Sequence, residues 1–319
     1  MKSEIGMIKD EKIFITGGLG FIGSHLIERL VNDNKITVFD NGHRNALQAL
    51  GIKSDNLEIV EGDILNKGEI RDALKDHTII IHLAAIAGVD TVIKNPVKTF
   101  NVNFFGANNI LECAKDSSVK KIINFSTSEV YGSEAENVNE EMPTIQGPIS
   151  EPRWNYALSK LASEYLMKAY NVEFGVPTCS IRAFNIYGPR QVGEGGVHNF
   201  ITRAINNEDL VIHNDGEQVR AWCYVEDMVN AIELMLGRDD LSGHVFNIGN
   251  PESIKNIELA KKIIDTAGSE SKIRFKEIDY PDVMVRVPNV EKAKKMIGFE
   301  PKVNLDEGIK RTIEWYKQL

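Results

Sequence analysis

Cysteine is scarce in this chain of 319 residues, and the three present, Cys113, Cys179 and Cys223, stand far apart. No pair has a metal-ligand spacing, and three scattered thiols make no disulfide framework. The expectation is buried free thiols in a reducing, cytoplasmic compartment and no resident metal. Basic charge is in deficit as well: 37 Lys and Arg stand against 46 Asp and Glu, for a net charge of −9. That balance excludes non-specific nucleic-acid binding, which needs a basic surface. It leaves room for a few arginines gathered around an anionic small molecule. Long apolar runs are missing too. The longest lies around Ile79–Val89, is interrupted by His82 and is too short to span a bilayer, so no membrane partner is expected. The stretch Met1–Asp10 lacks the apolar core of a signal peptide. Repeats and low-complexity tracts are absent. A chain of this length with 42% hydrophobic residues suits one large or two ordinary globular domains.

What is present begins with Lys12–Thr16, a short isoleucine-rich run that reads as a buried strand. Gly17-Gly18-Leu19-Gly20-Phe21-Ile22-Gly23 follows and opens a helical period with Ile22, Leu26 and Leu30 on one face. Ile36–Phe39 is a second apolar strand, closed by Asp40. Strand, glycine turn, helix, strand and acid make a dinucleotide-binding unit. Gly17 would permit the tight turn, Gly20 the approach of a pyrophosphate to a helix N-terminus, and Gly23 close packing of helix on strand. Asp40 would accept from ribose hydroxyls and repel a 2′-phosphate. That favours NAD over NADP, with Arg44 nearby working the other way.

Further runs read as strands at Leu57–Glu61, Thr78–Leu83, Lys121–Ser126, Pro177–Arg182 and Val245–Ile248. Helical periods cover Lys67–Leu74, Val97–Ala114, Val197–Ile205, Asp227–Leu236, Glu258–Ala267, Val290–Ile297 and Leu305–Lys317. Such alternation predicts an α/β protein with a doubly wound parallel sheet. Ligands sit beyond the carboxyl ends of those strands, where Gly17–Gly23, Ala84–Ala85 and Thr127–Glu129 all fall.

In Asn155-Tyr156-Ala157-Leu158-Ser159-Lys160 the tyrosine and lysine are four apart and share a helix face. Leu158, Leu161, Ala162, Tyr165 and Ala169 cluster on roughly the opposite side, so the core is expected not to need the pair. An ammonium beside a phenol is expected to draw its pKa down from about 10.

The spacing G-x-x-G-x-x-G within Thr16–Ser24 resembles the extended branch of the short-chain dehydrogenase/reductase superfamily. Over nearly the whole chain the resemblance is to NAD-dependent nucleotide-sugar epimerases and dehydratases. It implies a Rossmann-like NAD-binding domain over 1–182, with later returns near 221–248. A smaller, interleaved α+β domain for the nucleotide sugar would cover most of 183–319. A homodimer through helices such as Val97–Ala114 and Tyr156–Tyr170 is implied as well. Cofactor contacts would come from Gly17, Gly20, Phe21, Ile22, Gly23, Asp40, Asp63, Ile64, Leu83, Ala84, Ala85 and Asn103, with Tyr156 and Lys160. In the implied mechanism Tyr156 takes the proton of the sugar C4 hydroxyl and Thr127 hydrogen-bonds that oxygen. Lys160 holds the nicotinamide ribose, and hydride passes from C4 to the cofactor.

Ser126-Thr127-Ser128-Glu129-Val130-Tyr131-Gly132 resembles UDP-glucuronate decarboxylases and several 4,6-dehydratases, whereas plain 4-epimerases usually lack the glutamate. Glu129 is a candidate base at C5, and Ser128 stands where some hexose dehydratases carry an acid. Gln146–Tyr156 resembles the decarboxylase domain of bifunctional enzymes of lipid A modification. Trp154 would wall the pocket and Arg153 would face a substrate carboxylate. Asn185, Arg190, Arg220 and Arg286 match substrate-binding positions, Arg220 with a planar fork suited to phosphate or carboxylate oxygens. The glycine-rich stretch 190–196 reads as a mobile loop. The leading expectation is decarboxylation of a UDP-hexuronate. 4,6-Dehydration and 4-epimerisation stay open, and a non-catalytic NAD-binding module is the alternative from another class.

Overall fold

The structure is a computed structural model and describes residues 8–319. The signal-peptide expectation falls mostly on residues 1–7, outside the described residues. In chain order, β1 (Lys12–Thr16), α1 (Phe21–Leu30), β2 (Lys35–Asp40), β3 (Leu57–Glu61), α2 (Lys67–Ala73), β4 (Ile79–His82), α3 (Val89–Lys94), α4 (Pro96–Phe100), α5 (Gly106–Ala114) and β5 (Lys121–Thr127) come first. They are followed by β6 (Glu134–Val138), α6 (Trp154–Phe174), β7 (Thr178–Ala183), β8 (Ile186–Tyr187), α7 (Gly196–Ile205), β9 (Leu210–His213) and β10 (Val219–Ala221). Next are β11 (Cys223–Tyr224), α8 (Val225–Leu236), β12 (Val245–Ile248), β13 (Ser253–Lys255), α9 (Asn256–Ala267), β14 (Ile273–Lys276), β15 (Val285–Pro288), α10 (Glu291–Ile297) and α11 (Leu305–Tyr316).

Seven strands form one parallel sheet in the order β12-β7-β5-β4-β1-β2-β3. The order reverses between β1 and β4, which opens a crevice at their carboxyl ends. The strands are short and isoleucine-rich because both faces are covered. Ile13, Ile15, Ile79, Ile81 and Ile123 pack one way, with Leu26 and Ile27 of α1 and Met228 and Ile232 of α8. Phe14, Ile80 and Ile122 pack the other way, with Ile110 and Leu111 of α5 and Met167 of α6. Each such side chain contributes about 1.5–3 kcal/mol by leaving water. On this second face the strands change character toward their carboxyl ends. Phe14 gives way to Thr16, Ile80 to His82 and Ile122 to Asn124 and Ser126, all of them buried.

Helix α6 covers that change, and here the expected stripe is wrong. Leu158 is 45% exposed and Tyr165 69%, while Lys160 is only 2% exposed. Ala169 is exposed as well, and only Leu161 of the expected set is fully buried. The buried face instead carries Ser159, Lys160, Ser163 and Glu164 beside Met167 and Tyr170. Polar side chains are tolerated there because they have partners. Glu164 takes Arg182 of β7 through both oxygens, at 2.8 and 3.1 Å, and Arg182 also donates to the Tyr131 hydroxyl at 2.7 Å.

The helix expected over Val97–Ala114 is interrupted. A wide π turn at Asn101–Phe105 joins α4 to α5. It turns Asn103 inward: Oδ1 accepts from Ile86 N at 2.8 Å, and Nδ2 donates to Ile86 O and to Ser159 Oγ, each at 3.1 Å. Such turns cluster at functional positions.

A second sheet has the order β13-β10-β15-β6 and is tied to the carboxyl end of the first where Arg286 of β15 pairs with Glu129, just past β5. Its β6 comes from between β5 and α6. Around it, α7, α9 and α11 bury Phe200, Ile201, Leu259, Ile263, Ile309 and Ile313.

Candidate active site

The glycine turn is built as its residue types require. Gly17 has φ +69°, and a Cβ there would stand 2.6 Å from the Ala84 nitrogen, so the β1 and β4 loops touch through its bare backbone. Gly20 is the N-cap of α1, where no side chain caps the free amides and no acidic residue sits in the first turn. Those amides are left for an anion. The close packing expected of Gly23 lies against the turn rather than a strand: its Cβ would meet Gly18 Cα at 2.6 Å. Asp40 closes the rim. Its Oδ2 accepts from Leu19 N at 3.1 Å and its Oδ1 from Gly42 N at 2.9 Å. Burial raises its pKa, and the backbone donors oppose that. Two of its roughly four acceptor positions remain for ribose hydroxyls. Asp63 lies exposed after β3 with Oδ1 accepting from Leu65 N at 2.9 Å, and Ile64 is buried against Gly106. Leu83, Ala84 and Ala85 line the far side of the crevice, near Asn103. A bare-backbone cradle, uncapped helix amides and a rim carboxylate fit a dinucleotide.

Beyond β5 the chain turns through Ser128–Tyr131, with Thr127 Oγ1 accepting from Glu129 N at 3.2 Å. The Thr127 hydroxyl is also close enough to the Tyr156 phenol to favour its ionised form. The expected downward pull of Lys160 on this phenol is not found. Burial pushes Tyr156 up to about 12, and Glu129 adds to the rise while Thr127 opposes it. Lys160 is turned to the sheet, donating to Phe125 O at 2.6 Å. Its own pKa is pushed down to about 8 by burial, against the attraction of Glu164.

Three arginines surround Glu129. Arg286 Nη1 lies 2.9 Å from Glu129 Oε1 and also donates to Ser128 Oγ at 3.3 Å, while its Nη2 donates to Gly132 O at 2.6 Å. Arg153 Nη2 lies 3.4 Å from Glu129 Oε2, and its Nη1 donates to Pro281 O at 2.9 Å. Arg220 pairs with Asp282 at 3.6 Å and donates to the carbonyls of Val219 and Val283. Burial and the neighbouring Arg286 push its pKa down to about 10. Burial would raise Glu129, yet Arg286, Arg153 and Arg220 hold its carboxyl below the usual range. Trp154 is buried beneath Arg153, whose guanidinium lies 5.4 Å from its ring, and Gly147 lies flat on the indole. Trp154 Nε1, Arg153 Nε and Arg286 Nε have no partner among the described residues.

Two of the substrate-binding candidates are engaged by partners within the protein. Arg190, with φ +66°, turns away from the arginine cluster onto α1, pairing with Glu28 at 2.7 Å and contacting His25. Asn185, with φ +41°, donates to Ala221 O at 2.9 Å and so ties β7 to β10. The stretch 190–196 is held at several points rather than loose. The Tyr316 hydroxyl donates to Gln191 O at 2.7 Å, Gly193 packs on the Arg44 guanidinium, and Glu194 accepts from Asp90 N and Thr91 N at 2.9 and 3.0 Å. Asp282 and Glu194 were not legible as site residues, because their partners lie on distant segments of the chain. Among the described residues, no cluster of His, Cys, Asp or Glu could hold a metal, and no helix is long and apolar enough to cross a membrane.

Sheet order and crevice define a Rossmann-type dinucleotide-binding α/β protein. More narrowly, the chain belongs to the NAD dependent epimerase/dehydratase family, whose model matches residues 13–249. It is thus an NAD-dependent enzyme. A UDP-N-acetyl-alpha-D-glucosaminuronate decarboxylase of Bacillus cytotoxicus is 35% identical over 320 residues, covering 97% of this chain and 98% of its own. The dTDP-glucose 4,6-dehydratase of Streptomyces venezuelae, solved with NAD bound, superposes with TM-score 0.89 at 29% identity, over 96% of this chain and 97% of that one. The UDP-glucuronic acid 4-epimerase of Bacillus cereus, solved with UDP-glucuronic acid and NAD, gives TM-score 0.89 at 28% identity, over 96% and 99%.

Proposed function

We propose that this enzyme decarboxylates a UDP-hexuronate after oxidation at the sugar C4. This reading rests on the arginine cluster. Three guanidiniums against the carboxylates of Glu129 and Asp282 leave one positive charge just past Tyr156, suited to a substrate carboxylate. The same cluster disfavours dehydration. A base at C5 works best with a pKa near the operating pH, and Glu129 is held low. Decarboxylation asks for no such base, since the 4-keto acid loses carbon dioxide on its own. The Bacillus cytotoxicus relative acts on a hexuronate, which supports the same substrate class.

Gly17, Gly20, Gly23 and Asp40 would hold NAD, with Leu83–Ala85 and Asn103 on its far side. When bound, NAD accepts a hydride from C4 and later returns it. Tyr156, as phenolate, takes the C4 hydroxyl proton, and Thr127 holds that oxygen. Lys160 keeps one N–H on Phe125 O and reaches the ribose from there. Arg220 and Arg286 hold the acidic end of the substrate, and Glu129 keeps Arg286 aimed. Trp154 excludes water.

The exposed apolar face of α4, the π turn and α6, with Val97, Phe105, Leu158, Tyr165 and Val172, is covered by a second copy in an isologous dimer. The reaction is tested by mass spectrometry of products from UDP-glucuronate, its 2-acetamido analogue and the neutral UDP-hexoses. Loss of carbon dioxide supports the reading. Loss of water, or a product of unchanged mass, overturns it in favour of dehydration or epimerisation.

A further inference from the structure

The polar row beneath α6 contains three buried atoms that find no hydrogen-bond partner among the described residues: His82 Nε2, Asn124 Oδ1 and Ser126 Oγ. They are neighbours by construction. His82 of β4 is in register with Asn124 of β5, and Ser126 lies two residues further along the same face. His82 and Asn124 are fully buried and Ser126 nearly so. Orphaned buried polar atoms are uncommon, and three together call for a ligand.

Their hydrogen-bonding senses are fixed by their other partners. Thr16 Oγ1 accepts from Ala84 N at 3.3 Å, and among the described residues the one acceptor its own hydrogen meets is His82 Nδ1 at 2.7 Å, so the hydroxyl is taken to donate there. The ring proton of a neutral imidazole then sits on Nε2, as a free donor. Burial and the nearby Lys160 push His82 down to about 3, so the ring is neutral at any working pH. Asn124 Nδ2 donates to Ser180 Oγ at 3.2 Å on the β7 side, which turns Oδ1 back toward β4 as a free acceptor. Lys160 Nζ reaches into the same place, on the carbonyl of Phe125 between Asn124 and Ser126, and one bond leaves two of its N–H groups over.

We propose that His82, Asn124 and Ser126 hold one buried water against the Lys160 ammonium, and that this water positions the lysine for its work on the cofactor ribose. The water accepts from His82 Nε2 and Lys160 Nζ and donates to Asn124 Oδ1 and Ser126 Oγ. All four of its positions are filled, and all three orphans are satisfied. Lys160 is left with a single N–H, aimed toward the crevice. His82, Asn124 and Ser126 are positioning residues that act through Lys160. The proposal rests on the role given to Lys160 above.

The groups facing Lys160 are His82 from β4 and Glu164 from its own helix, the latter committed to Arg182 of β7. Tyr156 is faced by Thr127 and Glu129 from beyond β5. Removing the water withdraws an acceptor from the ammonium, so the lysine loses its proton at lower pH. The test follows NAD reduction in the holoenzyme against pH, with the hexuronate that the product assay selects. In His82→Leu and Asn124→Leu the alkaline limb is expected to move about one pH unit lower, and in His82→Gln, which keeps an N–H donor, to return. An unmoved limb in folded His82→Leu overturns the proposal. A high-resolution crystal structure of the wild type gives a second readout that needs neither turnover nor a folded variant. Ordered water bridging His82 Nε2 and Asn124 Oδ1 supports the site, and its absence overturns it. If the wild type reduces no NAD with any nucleotide sugar, the proposed reaction falls while the crystallographic result still decides the water.

Discussion

Glu129 and Arg286 meet at 2.9 Å although 157 positions separate them, and the pair joins the end of the large sheet to β15 of the second. Arg286 is almost completely buried and Glu129 about a quarter exposed. The arginine thus has a fixed carboxylate to aim it, and the carboxylate has a reason to stay ionised.

Glu129→Ala is expected to leave C4 oxidation in place while slowing product formation by about 10²-fold, since it disorders the arginines facing the developing charge. Stopped-flow absorbance of reduced cofactor, set beside mass spectrometry of product, separates the two steps. Equal loss in both would show that Glu129 serves oxidation itself.

Tyr156→Phe keeps the ring and removes the acid/base oxygen. Turnover is expected to fall by about 10²–10⁴-fold with NAD affinity unchanged. Calorimetric titration of NAD into the variant checks the second half, and near wild-type turnover would remove Tyr156 from the chemistry.

The pH profile follows from two opposite shifts. Tyr156, pushed up to about 12, must lose its proton to act as base, so the active fraction rises about tenfold per pH unit through the neutral range. Lys160, pushed down to about 8, must keep its proton to hold the cofactor, so its active fraction falls above that value. The rate of NAD reduction is expected to climb from the acid side and break near pH 8. A break in the acid range would assign it to another group.

Two glycine substitutions separate backbone strain from close contact. Gly51 has φ +56° and open space around it, so Gly51→Ala is expected to cost only the left-handed conformation, about 1–2 kcal/mol. Gly17→Ala carries the same strain plus a collision with Ala84, and is expected to lower the melting temperature further and to lose NAD. Thermal melts with and without NAD compare them.

Asp40→Ala is expected to weaken NAD binding by about tenfold through the loss of one hydrogen-bonded acceptor. It is also expected to narrow the preference over NADP, because the charge that repels a 2′-phosphate is gone. Parallel titrations of the two cofactors measure both, and an unchanged preference would contradict the ribose role.

The parallel sheet and the glycine crevice were readable because their signals are local. Apolar runs give strands, and the turn after β1 carries its glycines within seven residues. Thr127 and the Tyr156–Lys160 pair were readable as motifs, but their surroundings were not. Hydropathy placed Leu158 and Tyr165 inward and left Lys160 outside the core, since it does not register that Arg182 and Phe125 O wait on other strands for the polar face of α6. The direction of Arg190 follows from a left-handed backbone at a non-glycine residue, which no spacing reveals. Arg153 was expected to face a substrate carboxylate. Its partners within the protein, Glu129, Asp282 and Pro281 O, lie on segments that meet only in the folded chain and were not readable.

The course of β6 has an evolutionary consequence. The chain leaves the large sheet at the end of β5 and, soon after Thr127–Glu129, enters β6, which pairs with β15, while β12 returns late in the chain to close the large sheet beyond β7. Neither half can be transplanted as a cassette. A crossover near residue 182 between two relatives would give each sheet a strand inherited from the wrong parent, and the segment carrying Thr127 and Glu129 would be mismatched with its Arg286. New substrate preferences on this scaffold are therefore expected to come from point changes along the seam more readily than from exchange of lobes.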